Sequence, residues 1–182
     1  MSELNQLRVA QMKVGDETAF EWLLDRFEKP VYRFLFCSVG NAELAGQLSG
    51  DVFGEFVFAL KADKLRDPER LAGFIFGIAR NVLRRAHARK GGFSLDQTET
   101  LREIPCNRPG VPEQVAAQEE LDRALHRIGQ FRDQDRQVML LRFVEGLKLQ
   151  AIAEVLDIPI NTVKVTIHRC RKKLQGDFQH NL

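Results

Sequence analysis

Residues 149–174, LQAIAEVLDIPINTVKVTIHRCRKKL, admit few folds, because two helical stripes flank a stretch that no helix crosses easily. Ile152, Val155 and Leu156 give the first stripe an inner face, and Ala153 is small enough for a second helix to cross closely. Asp157 sits at the turn, where aspartate tolerates a left-handed backbone better than most side chains. Ile158 closes the core, and Pro159 cannot extend the first helix because its ring clashes with the preceding turn. Asn161 is expected to cap the second helix, its side chain accepting from an otherwise unpaired backbone N–H. Val163, Ile167, Cys170 and Leu174 then recur at spacings of four, three and four, which makes them the expected buried face. Thr162, Lys164, Val165, His168, Arg169, Arg171 and Lys172 point elsewhere. A helix presented this way fits the major groove, with early residues at base edges and flanking cations on phosphates. A purely structural helical hairpin is the competing interpretation, since any small bundle can imitate the apolar spacing.

The other 148 residues before this segment continue the helical period, and strand signals are weak throughout. In DETAFEWLLDRFEKPVYRFLF, Phe20, Leu23, Leu24 and Phe27 form one stripe, with Asp16 or Thr18 near its start and Pro30 expected to interrupt or restart it. Val52, Phe53, Phe56, Val57 and Leu60 form another, weakened but not forbidden by Gly54. Asp67 followed by Pro68 is a start signal for a third, built on Leu71, Phe74, Ile75, Ile78, Ala79 and Val82. After Lys90 the period is lost in GGFSLDQTETLREIPCNRPGVPEQ, whose glycines and prolines mark a linker. Helical patterning resumes near Pro112. The fold class is therefore all-α: two small helical domains, 1–92 and 112–182, joined by a flexible linker at 93–111.

Charge is distributed unevenly behind a net value of +2. Residues 1–60 hold nine acids and five Lys or Arg. Leu71 to Phe93 carries no acid but holds Arg80, Arg84, Arg85, Arg89 and Lys90. Ile158 to Gly176 likewise carries no acid but holds Lys164, Arg169, Arg171, Lys172 and Lys173. Two cationic stripes at the ends of helical patterns point to two contacts with a polyanion, against the plainer alternative of ordinary solvated helix faces. The three cysteines, Cys37, Cys106 and Cys170, form no CxxC pair, so structural thiols are expected and no metal or cofactor. There is no apolar run of transmembrane length and no signal-peptide pattern, so a cytoplasmic protein without membrane insertion is expected. The four histidines make no motif with Ser, Cys or paired acids, which makes an enzyme the least expected class.

DRQVMLLRFVEGLKLQAIAEVLDIPINTVKVTIHRCRKKL resembles region four of bacterial RNA polymerase sigma factors of the extracytoplasmic-function (ECF) type, and GDVFGEFVFALKA followed by FIFGIARNVLRR resembles their region two. The resemblance covers nearly the whole chain, in the family's order, with a linker between. It implies a two-domain promoter clamp. Region two would dock on the clamp helices of the largest subunit of core RNA polymerase through Gln47, Asp51, Val52, Phe53 and Glu55. It would also capture the minus-ten strand of promoter DNA through Arg80, Asn81, Arg84, Arg85 and Arg89. Region four would bind the flap of the second-largest subunit. Its helix-turn-helix, 149–168, would read the minus-thirty-five duplex through Thr162, Lys164, Val165, Thr166, His168, Arg169, Arg171 and Lys172. An anti-sigma factor is a further partner the resemblance implies.

Several residues depart from the family's pattern. The acid-Leu-Val-Gln-Glu run stands here as QLSGD, with Gln47 for the first acid and Gly50 for the glutamine. Phe74 stands for a tryptophan, and the Lys-Ser-Arg of the recognition helix stands as Lys164, Val165 and Thr166. Each lost base contact is worth about 1–3 kcal/mol, so a different or weaker upstream preference is expected. The alternative function is a helix-turn-helix transcription regulator that is not a polymerase subunit. A response regulator of that kind needs an alternating strand-helix receiver upstream, and residues 1–92 read as helical. A protein that kept the bundle but lost DNA readout is the remaining competitor.

Overall fold

The computed structural model describes residues 2–89 and 123–179, with side chains described within 3–89 and 123–174. The linker at 93–111, both domain boundaries and Cys106 lie outside the described residues. The first half comprises α1 (Ser2–Lys13), α2 (Glu17–Val39), α3 (Ala42–Lys61) and α4 (Leu71–Arg89), the last entered through a 3-10 turn at Pro68–Arg70. The second half comprises α5 (123–129), α6 (Asp133–Met139), α7 (Leu149–Leu156) and α8 (Ile160–Gln179). A π-helical turn, Leu140–Val144, extends α6. No strand occurs among the described residues.

Local chemistry sets the helix ends. Asp16 Oδ1 accepts from the backbone N–H of Thr18 at 2.9 Å and of Ala19 at 3.4 Å. The Thr18 hydroxyl also donates to it, which holds the carboxyl below its usual range. Gly40, at φ 66°, closes α2 by donating to the Phe36 carbonyl. Asn41 caps α3 through a 2.8 Å bond from Leu44 N–H, and Asp67 caps the 3-10 turn through a 2.9 Å bond from Glu69 N–H.

Contrary to expectation, α2 runs through Pro30 without a break. Phe27, Val31, Phe34 and Leu35, on either side of the proline, are all buried, and tertiary packing outweighs one missing backbone bond. Leu24 also departs from its expected stripe and is 41% exposed, while Ala19 and Leu23 face inward. Phe34 meets Phe76 edge-on at 5.7 Å, and Phe56 meets Phe74 edge-on at 6.2 Å.

The apolar faces of the two halves merge. Val138, Leu141, Leu147, Ile152, Val155, Leu156 and Val163 join the core built on α1 to α4. A smaller cluster seats Cys37 of α2 among Leu125, Ile128, Met139, Leu140 and Cys170 of the second half. Along the seam α4 lies on α7. Gly73 faces Ala151 there, and a Cβ on Gly73 would stand 3.7 Å from the Ala151 Cβ, so two small residues permit the close approach. Polar groups also cross the seam. Arg33 donates twice to Glu145 Oε1, at 3.0 and 2.8 Å, with the side chains only 12% and 6% exposed. Arg80 donates to the Leu156 carbonyl at 2.9 Å, Gln137 to the Ser38 hydroxyl at 3.4 Å, and Arg70 pairs with Glu154.

Candidate nucleic-acid interface

The α7–turn–α8 unit is built as its sequence requires. Asp157 adopts the left-handed conformation at φ 50°, and Ile158 N–H donates to the Ala153 carbonyl at 3.0 Å. α8 starts two residues earlier than expected. The Pro159 carbonyl accepts from Thr162 N–H at 2.9 Å and Val163 N–H at 3.3 Å, so Asn161 lies inside the first turn and is not the cap. The fixed φ of proline suits that position at a helix start.

The inward face of α8 is Val163, Thr166 and Cys170, at 0%, 4% and 1% exposure, with Ile167 and Leu174 half-buried. This corrects the placement of Thr166 among the base-reading residues. The spacing of three from Val163 and four to Cys170 turns its side chain into the bundle, where it cannot reach a base edge. Thr162, Lys164, Val165, His168, Arg169, Arg171 and Lys172 are exposed, as a groove-facing surface needs. Arg169 is already engaged, pairing at 2.5 Å with the buried Asp135 of α6. Its guanidinium ties α8 to α6 and offers less unbalanced charge to a phosphate than Lys164 does.

On α4, Asn81, Arg84, Arg85 and Arg89 are exposed, with 81, 85 and 89 one turn apart along one face. Arg85 pairs with Glu55 of α3. Arg80 is half-buried and spent on the Leu156 carbonyl, so the structure brings this residue to the second half and away from open solvent.

Among the residues assigned to polymerase docking, Gln47 and Asp51 are exposed one turn apart on α3. Glu55 is half-buried beside Arg85, and Phe53 packs half-buried against the core. Val52 is a correction: at 0% exposure it is a core residue on the stripe with Leu48 and Phe56, and no partner can touch it. Sequence reading missed Phe58, which is 76% exposed and shares the Gln47–Asp51 face by helical spacing. Its signal was its position off the Val52–Phe56–Leu60 stripe.

Cys37 and Cys170 are free thiols. Burial pushes Cys37 up to about 11 and Cys170 in the same direction, so both stay protonated and inert while the halves are closed. Among the described residues no group of His, Cys, Asp or Glu could hold a metal ion, and no helix is long and apolar enough to cross a membrane.

A family model described as sigma-70, region 4 matches residues 121–174. The ECF RNA polymerase sigma factor SigW of Bacillus subtilis is 28% identical, over 98% of this chain and 99% of that protein. SigD of Mycobacterium tuberculosis, also an ECF RNA polymerase sigma factor, is 27% identical over 93% of this chain and 82% of its own. The ECF RNA polymerase sigma-E factor of Salmonella typhimurium is 25% identical over 96% and 94%. The fold is similar to that of CnrH, solved in complex with the cytosolic domain of CnrY, with a TM-score of 0.64 and 21% identity over 98% of this chain and 99% of that one. With a helix-turn-helix, a second cationic helix and near full-length likeness in the same order, the chain is similar to ECF RNA polymerase sigma factors, and its second half matches sigma-70 region 4.

Proposed function

We propose that this chain binds core RNA polymerase and promoter DNA and sets where transcription starts, without performing bond chemistry itself. One observation carries this: a single chain presents two cationic helices, α4 without an acid and α8 without one through Gly176, the second inside a helix-turn-helix with its outward face uncovered. In the proposed division, α8 reads the minus-thirty-five duplex, with Lys164, Arg171 and Lys172 on phosphates. The α4 cations Arg80, Arg84, Arg85 and Arg89, with Asn81, hold the melted minus-ten strand. Gln47, Asp51 and Phe58 on α3 form the face offered to the clamp helices of the largest subunit, and the second half meets the flap of the second-largest. Two modest DNA contacts on one chain reinforce each other through effective concentration.

Arg80 gives one of its five N–H groups to Leu156 in the closed chain, so only part of its guanidinium faces a strand there. Full engagement of Arg80 in this reading is favoured when the halves part. An anti-sigma factor is the third proposed partner, and a closed chain offers it both halves at once; CnrH was likewise solved bound to another protein segment, the cytosolic domain of CnrY. The test is multi-round transcription with purified core polymerase and a promoter library. New start sites that depend on the chain are expected, and their absence refutes the sigma function.

A further inference from the structure

Val165 lies at the centre of the outward face of α8 and is 62% exposed. Its neighbours one turn away, Asn161 and Thr162 on one side and His168 and Arg169 on the other, are polar, and no acid occurs from Ile158 to Gly176. Neither the fold nor the helix explains the residue. An exposed valine buries nothing, and it is a poorer helix former than Lys, Gln or Glu. Among the described residues it is the one large aliphatic side chain exposed on α8. Its neighbour Thr166, which could have supplied a polar base contact, is turned inward.

A cationic surface with an apolar centre needs a polyanion that carries an apolar group at matching depth. Duplex DNA supplies one. In the major groove the thymine 5-methyl is the apolar feature of an otherwise donor-and-acceptor edge. We infer that Val165 is a specificity-determining residue that packs on a thymine 5-methyl in the upstream promoter element. This rests on the duplex-reading role of α8 proposed above. Lys164, next to it and exposed, holds the flanking backbone, while Val165 selects the base pair by shape and burial with no hydrogen bond of its own.

The experiment uses the chain assembled with core polymerase. A promoter library randomised upstream is transcribed, and the selected element is remade with each upstream thymine replaced singly by uracil, which lacks only the 5-methyl group. With the natural chain, one replacement should lower initiation about four-fold, the factor that burial of a single methyl-sized group corresponds to. Val165→Ala should lose that sensitivity while melting at the same temperature, since the position is exposed. Val165→Thr, which keeps the shape and one methyl, should retain part of it. The inference is overturned if the selected element has no thymine, if no uracil replacement matters, or if Val165→Ala responds as the natural chain does; the last result would place Val165 on a protein partner. Absence of any chain-dependent start site is a different result, and it overturns the sigma function along with the inference.

Discussion

Replacing Glu145 by Ala should open the molecule. Arg33 on α2 and Glu145 beyond α6 are the most deeply buried ion pair across the seam, at 2.8 Å with 12% and 6% exposure. Burial pushes the Glu145 carboxyl above its usual range and Arg33 only partly restores it, so the closed state already strains to keep the charge. Removing the carboxylate leaves a guanidinium buried without its partner. Breaking such a pair costs about 3–5 kcal/mol. The lower end applies because Arg33 keeps an edge in water, and about 3 kcal/mol is a shift of roughly 150-fold toward the open form. Cys37 reports it. This thiol lies one turn from Arg33, is 1% exposed, and is covered by second-half side chains. In a background carrying Cys106→Ser and Cys170→Ala, maleimide labelling of Cys37 should accelerate about a hundred-fold at fixed pH, because labelling tracks the open population when reclosing is fast. Replacing both partners, Arg33→Met with Glu145→Leu, should restore slow labelling, since a well-packed apolar pair is often neutral or better. If Glu145→Ala labels no faster than its parent, the pair does not hold the halves together.

Four further outcomes follow from the same geometry. Because the Glu145 carboxyl is raised when buried, the closed form binds its proton more readily than the open form, so closure strengthens as pH falls toward about 4.5 and weakens as pH rises through the raised value; a radius of gyration by X-ray scattering that expands between pH 7 and 5 contradicts this. Thr166→Val should leave upstream promoter choice unchanged and shift stability by less than about 1 kcal/mol, since the side chain faces the core; altered base preference in a selection would return Thr166 to the groove. Lys164→Ala should reduce the salt slope of duplex binding by about one, as one fewer counterion is released, whereas Arg169→Ala, whose charge Asp135 balances, should reduce it less; equal slopes by fluorescence anisotropy would free Arg169 from Asp135 in solution. Asp51→Arg should weaken binding to core polymerase in a pull-down with unchanged circular dichroism, and undiminished capture would move the docking face off α3.

Sequence periodicity reached the helices because each buries a stripe, and a stripe at three- and four-residue spacing is a local property. Asp16, Asp67 and Asp157 were legible for the same reason: each acts within a few residues of itself. Thr166 was misplaced because a search for apolar spacing passes over a small hydroxyl residue on the inward face. Pro30 was misjudged because its local penalty is offset by side chains whose burial depends on the rest of the bundle. The seam was not legible at all. Arg33 and Glu145 stand 112 residues apart, and Arg80 and Leu156 76 apart. Asp135, Arg136 and Gln137 are all buried although all three are polar, and no apolar period marks them. A pattern that encodes which face is apolar says nothing about which polar groups meet across two halves.

In the proposed function, Arg80 would link that seam to promoter binding by competition for one guanidinium. The Leu156 carbonyl it holds is at the C-terminal end of α7, where unpaired carbonyls and the helix dipole place partial negative charge. A strand phosphate offers the same guanidinium a full charge, and charge-assisted bonds are roughly twice as strong as those to a neutral carbonyl. Turning the guanidinium fully onto a phosphate takes its Nη1 from that carbonyl. On that proposal, DNA at α4 would favour the open form through its own differential affinity, and whatever holds the halves together would weaken strand capture to the same degree. Arg33–Glu145 and Gln137–Ser38 make such an opening feasible, because these groups recover water when the halves part, whereas a wholly apolar seam would regain nothing. Changing Arg80 to Lys should separate the two roles: a lysine retains the charge for a phosphate but loses the fork that reaches the Leu156 carbonyl, so Cys37 labelling should rise while strand binding is largely kept.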